Sequence, residues 1–343
     1  MKWRTIIPFL LAAAIVAGCR IEPPLHLRQA MHVMVKVIWK AEIYPHGFKP
    51  SGVSLYFFRD GEFYMRHTTS QVDSCLVSLE PGNYRLYMIS QSPEEYGTLF
   101  FSDMENFEKA MVTAEETKSS WYTRADDEVL ITNPEAMLAG VSDEFEVTAE
   151  QITTKAEDSQ PGLVSYYTVR VPVYPKSIVS QYWVTIYSDN ADVLKAIRCS
   201  NTGMARSFLL TRDITADDEA TQLISYWSLT MDDPINRVGH IDGKITTFGF
   251  PRGELPGPER DPTMNVATLL VDNKTVDHYT FNVGNLISLE EPPDGYRSVY
   301  RLILGSVAEP AIHPPDVHPA DDASGLDALV NGWDNGEDVE VEM

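Results

Sequence analysis

The chain has 343 residues and carries 27 Lys and Arg against 50 Asp and Glu, a formal charge of −23. So acidic a surface repels nucleic-acid phosphates and anionic lipid headgroups alike, so nucleic acid is not an expected partner and any membrane attachment has to be covalent. The length accommodates two domains with ordinary hydrophobic cores.

Lys2 and Arg4 precede an apolar run, Ile6 to Val16, that is too short to span a bilayer. It closes on Val16-Ala17-Gly18-Cys19, small residues directly ahead of a cysteine. This resembles the bacterial lipobox, in which the cysteine thiol is diacylated, cleavage follows Gly18, and the new amino terminus at Cys19 takes a third acyl chain. Each buried CH₂ contributes ~0.8 kcal/mol, so several chains hold a protein at a membrane. Residues 1–18 therefore read as a signal peptide, and residues 19–30, with Glu22-Pro23-Pro24, as an extended lipidated tether. Loss of Lys2 and Arg4 takes the charge of the remaining 325 residues to −25. No later apolar run reaches the ~18 residues of a transmembrane helix.

From His32 to Trp39 the chain alternates Val33, Val35, Val37 and Trp39 with Met34, Lys36 and Ile38, which predicts a strand with one buried face. Val53 to Phe58 repeats the pattern. Val72 to Leu79 and Tyr84 to Ile89 flank Glu80-Pro81-Gly82-Asn83, whose Pro and Gly are turn formers, and the three pieces together read as a β-hairpin. Ser92-Pro93-Glu94-Glu95 predicts a short helical turn with a serine cap and Pro at its first position. A second helical piece is expected over Phe101 to Ala110, and strand alternation returns in Val141, Phe145 and Val147. The polar stretch Lys155 to Gly162 ends in Pro-Gly and places a domain boundary there, dividing the chain into 31–158 and 163–343. Beyond it, strands are predicted in Val164–Val173, Tyr182–Tyr187, Ala205–Leu210, Gln222–Met231, Ile241–Phe250, Val266–Val271, His278–Val283 and Arg297–Leu304. Short strands at this spacing predict an all-β chain of two tandem antiparallel β-sandwiches with short helical insertions.

Glu309 to Met343 holds ten Asp or Glu and no Lys or Arg. His313-Pro314-Pro315-Asp316-Val317-His318-Pro319 is too rich in proline for a central strand and is expected to run extended over the surface. The chain finishes on Val339, Val341 and Met343 alternating with Glu340 and Glu342, an amphipathic strand suited to adding to a sheet edge, and Trp333 stands ahead of it as an aromatic anchor. The competing expectation is a disordered acidic tail.

No nucleophile elbow, Ser-x-x-Lys, His-Glu-x-x-His, dinucleotide or phosphate-loop string occurs, so no catalytic residue, cofactor or metal site is predicted. His313 and His318 lack a fixed third ligand, and Asp232-Asp233 and the Asp334 to Asp338 cluster lack the ligand spacing of a calcium loop. Cys75 and Cys199, assigned to different domains, read as buried free thiols rather than a disulfide. Among the aromatics, Trp183 and Trp227 fall in strands and read as core residues. Trp121, with Tyr122 in a loop-like stretch, is the better candidate for stacking on a glycan or host ligand.

Taken together, the lipobox at Cys19, Leu79-Glu80-Pro81-Gly82-Asn83-Tyr84 with Ser92-Pro93-Glu94-Glu95-Tyr96, Ile245 to Phe250, Thr280-Phe281-Asn282-Val283-Gly284, Gly332-Trp333-Asp334 and Val339-Glu340-Val341-Glu342 resemble a Bacteroidales lipoprotein family related to the fimbrillins (Mfa-like). The resemblance implies two transthyretin-like sandwiches, an outer-membrane, lipid-anchored location at the cell surface, and a part in fimbriae as accessory, anchor or tip subunit with other fimbrial subunits as partners. It carries over no catalytic residue. Polymerising fimbrillins are trimmed by an Arg-specific protease in their first domain, whereas here no arginine lies between Gln29 and Phe58, leaving Arg28 and Arg59 as the nearest sites. That favours a subunit that keeps its first strand. The alternative class is a surface lipoprotein that binds a glycan or host ligand without catalysis.

Overall fold

The computed structural model of the chain describes residues 31–40, 50–119, 121–122, 128–148, 169–257 and 260–319. It is all-β. Helical backbone among these residues is confined to single 3-10 turns.

A first sandwich is built around Met31–Val37. That strand pairs in parallel with Val169–Val173 on one side and antiparallel with Ser74–Leu79 on the other. Facing this three-stranded sheet is a larger one, in the order Lys176–Ser177, Leu138–Val141, Gly82–Ser90, Val53–Arg59, Glu62–Thr69, with Phe145–Val147 also paired to Gly82–Ser90. Val33, Val35, Val77, Leu79 and Val171 from the small sheet meet Leu55, Phe57, Tyr84 and Leu86 from the large one in a single core. The alternation predicted for the first strand is thus the one observed, with Val33 and Val35 fully buried.

Three local expectations are corrected. Ser74–Leu79 and Gly82–Ser90 are not a hairpin, because they lie in opposite sheets and Glu80-Pro81 carries the chain across the core. Tyr84 closes this crossing by donating its hydroxyl to the Glu80 carbonyl at 2.8 Å, and Arg59 Nη1 holds the Glu80 carboxylate at 3.0 Å. The hairpin that does form joins Val53–Arg59 to Glu62–Thr69 through Asp60-Gly61, both at positive φ, the geometry that an Asp-Gly pair favours. The expected helix over Phe101 to Ala110 is instead two strands, Leu99–Ser102 and Met111–Ala114, joined by one turn. Asp103 enters that turn at φ 52°, which stops helical propagation, and Asn106 accepts the amides of Lys109 and Ala110.

The third correction concerns the boundary region. Val169–Val173, assigned from sequence to the second unit, belongs to the first sandwich. It is an edge strand there, which is where Pro172, lacking an amide hydrogen, is tolerated. Residues 151–168 themselves lie outside the described residues.

The second sandwich sets the sheet Trp227–Asp233, Val238–Thr247, Ser180–Ser188, Val299–Leu304, Ile287–Glu290 against the sheet Val276–Asn282, Thr263–Leu270, Leu194–Ala205, Glu219–Ile224, Leu130–Ile131. Tyr182, Val184, Ile186, Met264, Val266 and Leu302 fill its core. Asp272-Asn273-Lys274 turns the chain between Thr263–Leu270 and Val276–Asn282: Asp272 Oδ1 accepts the amides of Lys274 and Thr275, with Asn273 at φ 60°.

Between the sandwiches lies a four-stranded sheet that takes Leu99–Ser102 and Met111–Ala114 from one half of the chain and Ser207–Leu209 and Ile214–Thr215 from the other. Its core includes Tyr56, Phe58 and Tyr87 from the outer face of the first sandwich together with Phe107, Val112, Phe208 and Phe248. Tyr56 and Tyr87 stack at 4.8 Å, and Phe58 meets Phe107 edge-on at 5.2 Å. Val53–Arg59 is therefore buried on both faces, which its aromatic residues satisfy and a strand with one wet face would not. Cys75 lies in the first core and Cys199 in the second; both are free and buried, and burial pushes the Cys75 thiol up to about 11.

Candidate functional site

Ser180–Ser188 is the central strand of its sheet. With Tyr182, Val184 and Ile186 turned to the core, pleating turns Trp183, Thr185 and Tyr187 to the outer face. Strand register then decides their neighbours. Trp183 is opposite Lys244 on the antiparallel neighbour and Arg301 on the parallel one, so the three strands present a Lys-Trp-Arg row. Lys244 Nζ lies 5.0 Å and Arg301 Cζ 5.8 Å from the Trp183 ring, within cation-π range. Trp183 Nε1 donates to Gln181 Oε1 at 2.8 Å, which fixes the indole.

One row along, Arg301 donates to Thr185 Oγ1 at 3.0 Å, Thr185 donates to Asp242, and Asp242 lies 3.3 Å from His240 Nε2. His240 Nδ1 is 2.7 Å from Asp232. Trp183, Lys244, Arg301 and Asp242 line a shallow groove of about 550 Å³, which Tyr226, 79% exposed, flanks from the strand crossover. Trp227 reaches the same groove from the sandwich edge. It lies flat over Gly243, where an added Cβ would fall 2.5 Å from its ring, and donates to the Ile224 carbonyl at 2.9 Å. The groove offers an aromatic plate, two cations and hydrogen-bonding groups. Among the described residues no group of three or more His, Cys, Asp or Glu is placed to hold a metal ion.

This face departs from the sequence reading. Trp183 is not a core residue, and the signal was its phase, odd against the even Tyr182, Val184 and Ile186. Trp121, the preferred stacking candidate, is half-buried elsewhere, with the Arg198 guanidinium 5.7 Å from its ring and Tyr122 edge-on at 5.8 Å. Asp233 caps its own hairpin by accepting the amides of Ile235 and Asn236 and the Asn236 side chain, which lowers its pKa. His313 pairs with Asp189 at 2.7 Å and is not joined to His318. The proline-rich segment runs extended along the second sandwich: the Ile312 amide donates to Tyr187, Asn190 donates to the Pro314 carbonyl, and Arg237 pairs with Asp316 at 2.9 Å. Gly18, Cys19, Trp333, Asp334, Asp338, Val339, Val341 and Met343 lie outside the described residues. Among the described residues no helix is long and apolar enough to cross a membrane.

The other structural element of functional interest is the first strand itself. Met31–Val37 is central in its sheet, and it is the only strand partner of Val169–Val173 among the described residues. Downstream, Arg66 clamps the Ser92–Glu95 turn, donating to Glu94 Oε1 at 2.8 Å, to Glu94 Oε2 at 2.7 Å and to Ser92 Oγ at 2.7 Å, which holds the Glu94 carboxyl far below the usual carboxylate range.

A family model described as a domain of unknown function, DUF5119, matches residues 25–225, more than half of the chain. The chain belongs to that family. No curated protein sequence matches it. Among solved structures, a candidate adhesin from Bacteroides ovatus ATCC 8483 is similar at 13% identity, over 84% of this chain and 94% of that one, with a TM-score of 0.57. The fimbrial anchor protein Mfa2 from Porphyromonas gingivalis is similar at 12% identity, over 80% and 90% of the two chains, with a TM-score of 0.44. The tip fimbrial protein Mfa3 from the same organism, at 12% identity over 79% and 94%, has a TM-score of 0.35. The first of these establishes a shared fold for this DUF5119 chain.

Proposed function

We propose that the protein is a fimbrillin-like surface lipoprotein, cleaved after Gly18, acylated on Cys19 and held in the outer membrane, where it serves as an anchor or accessory subunit of a fimbrial assembly and meets its partners by β-strand addition. The observation that carries this reading is the central, buried position of Met31–Val37 a short tether away from Cys19. A lipid on Cys19 would hold the first sandwich through its own sheet. The fold shared with the Bacteroides ovatus candidate adhesin supports a surface role. The test has two parts. Palmitate labelling and membrane partitioning are expected to vanish in Cys19→Ala, and the wild-type protein is expected to copurify with a fimbrial polymer from the cell surface. Labelling that survives the substitution, or a surface protein free of any polymer, would overturn the anchor reading.

The Lys244-Trp183-Arg301 row supports a second reading, a surface receptor for a glycan or host ligand. Glycan-array binding abolished by Trp183→Ala, and unchanged by Trp121→Ala, favours it; an array blank for the wild type rejects it.

A further inference from the structure

Among the described residues the second sandwich is open along one side. Glu219–Ile224 pairs with Leu194–Ala205 only from Cys199 onward, after which Ser225 and Tyr226 carry the chain across to Trp227–Asp233 in the other sheet. Among the described residues Leu194–Ile197 therefore has a strand partner on one side only, and Trp227–Asp233 is an edge strand. Between the two edges lies a cleft of about 260 Å³, where Leu194, Ile197, Trp227, Leu229 and Ile241 present apolar side chains beside the polar Lys195 and Ser225. Leu229 is 43% exposed there. A sheet edge beside a cleft with apolar side chains along it is the arrangement that takes up an extended peptide: main-chain hydrogen bonds join the edge, and every second side chain enters the cleft.

We infer that the occupant is this chain's own segment Asp338–Met343, paired to the Trp227–Asp233 edge. Two observations select it. First, the described chain runs out beside that strand's hairpin. Asp316 is paired with Arg237, in the turn joining Trp227–Asp233 to Val238–Thr247, and the described residues end three positions later at Pro319. The 18 residues from Ala320 to Glu337 reach at most roughly 60 Å, more than the ~24 Å length of the edge strand. Second, the segment has the required pattern, with Val339, Val341 and Met343 on one face for the cleft and Glu340 and Glu342 on the other for water. The consequence for assembly is that this segment is consumed within its own subunit and is not free to be donated, as suits a subunit at one end of a fibre.

The inference takes strand addition from the proposed function but not membership of a fibre, so its test is run on the isolated full chain. Hydrogen exchange across Trp227–Asp233 is compared between the full chain and a variant lacking Asp338–Met343, with Leu229→Glu in the full chain as a second, surface variant. Exchange in the full chain is expected to be at least ~10-fold slower than in the deletion. Leu229→Glu should match the deletion, and a synthetic Asp338–Met343 peptide should restore protection to the deletion variant. Equal exchange in the full chain and the deletion overturns the inference. So does protection that appears only as the protein dimerises on concentration, since the strand would then be seated on a second copy. Copurification with a polymer is untouched by either result.

Discussion

Removing the first strand is the perturbation that most sharply separates a subunit that keeps this strand from one designed to lose it. In a variant starting at Ile38, the side chains of Val33, Val35 and Val37, 0%, 0% and 4% exposed, leave the first core. At ~1.5–3 kcal/mol for each buried apolar side chain the loss is roughly 4.5–9 kcal/mol. That is an upper range, because an unfolded chain already buries part of this surface. Both ladders of the strand go too, and Val169–Val173 loses its strand partner, which exposes Val171 and Val173. Set against the ~5–15 kcal/mol that stabilises a typical domain, the loss is decisive for the first sandwich. At ~2–4 °C per kcal/mol for a domain of this size, its thermal transition should fall by on the order of 10 °C in circular-dichroism melts, with dye-binding apolar surface exposed. A peptide spanning His32 to Val37 should recover much of the loss. A truncated chain that stays monomeric and melts within ~3 °C of the full chain would refute the reasoning, because the slot would then be stable when empty.

Other outcomes follow from the same geometry. An Arg-specific protease is expected to spare Arg59 in the native protein, since Arg59 enters the tight Asp60-Gly61 turn between two paired strands with its guanidinium on Glu80; an early fragment beginning at Asp60 would show that this hairpin opens. The hydrogen bonds from Arg252 and Arg260 hold the Asp217 carboxyl at about 2, so their stabilising contribution is complete above the unfolded carboxylate value of ~4 and is lost as pH falls through about 2. Carboxyl NMR should show that low midpoint, moved up toward ~4 in Arg252→Ala; an unmoved midpoint would mean that Arg252 is not the cause. Nicking near Lys155 is expected to leave the two fragments associated on a native sizing column, because the middle sheet and its core draw on both. Separation without denaturant would contradict the shared core.

Period-2 alternation was enough to read the fold class and most strands, because pleating forces it wherever one face is buried. It does not say which strand is the neighbour. Ser74–Leu79 and Gly82–Ser90 send alternate side chains into one core whether they are hydrogen-bonded to each other or face each other across the sandwich, so the Pro-Gly turn between them looked like a hairpin. Val169–Val173 was legible as a strand, but its parallel partner lies more than a hundred residues earlier, a pairing no local pattern records. Asp60-Gly61 was a readable hairpin signal that the apolar run Leu55-Tyr56-Phe57-Phe58 ahead of it masked. At the candidate site the phase of Trp183 was readable and its meaning was not. Lys244 and Arg301 flank the indole only because two registers, one antiparallel and one parallel, bring them opposite the same residue.

The positions of these strands also bear on how a lipid-anchored subunit would carry load. Tension from an acylated Cys19 would enter the fold at Met31 and pull along Met31–Val37. Because that strand is paired on both sides, the pull shears two ladders at once rather than peeling one bond at a time. One of the ladders passes the load sideways through five register pairs to Val169–Val173. From Val173 the chain crosses by Lys176–Ser177, paired to Leu138–Val141, and within a few residues becomes Ser180–Ser188, the central strand of the second sandwich. The route from the lipid to the outer aromatic face thus begins on the central strand of one sheet and ends on the central strand of another, by way of the edge strands Val169–Val173 and Lys176–Ser177. A strand designed to be cut away could not serve as the first link of that route. Retention of Met31–Val37 and anchoring at Cys19 are for this reason one proposal, and trimming of the strand in the assembled state would remove the mechanical basis of both.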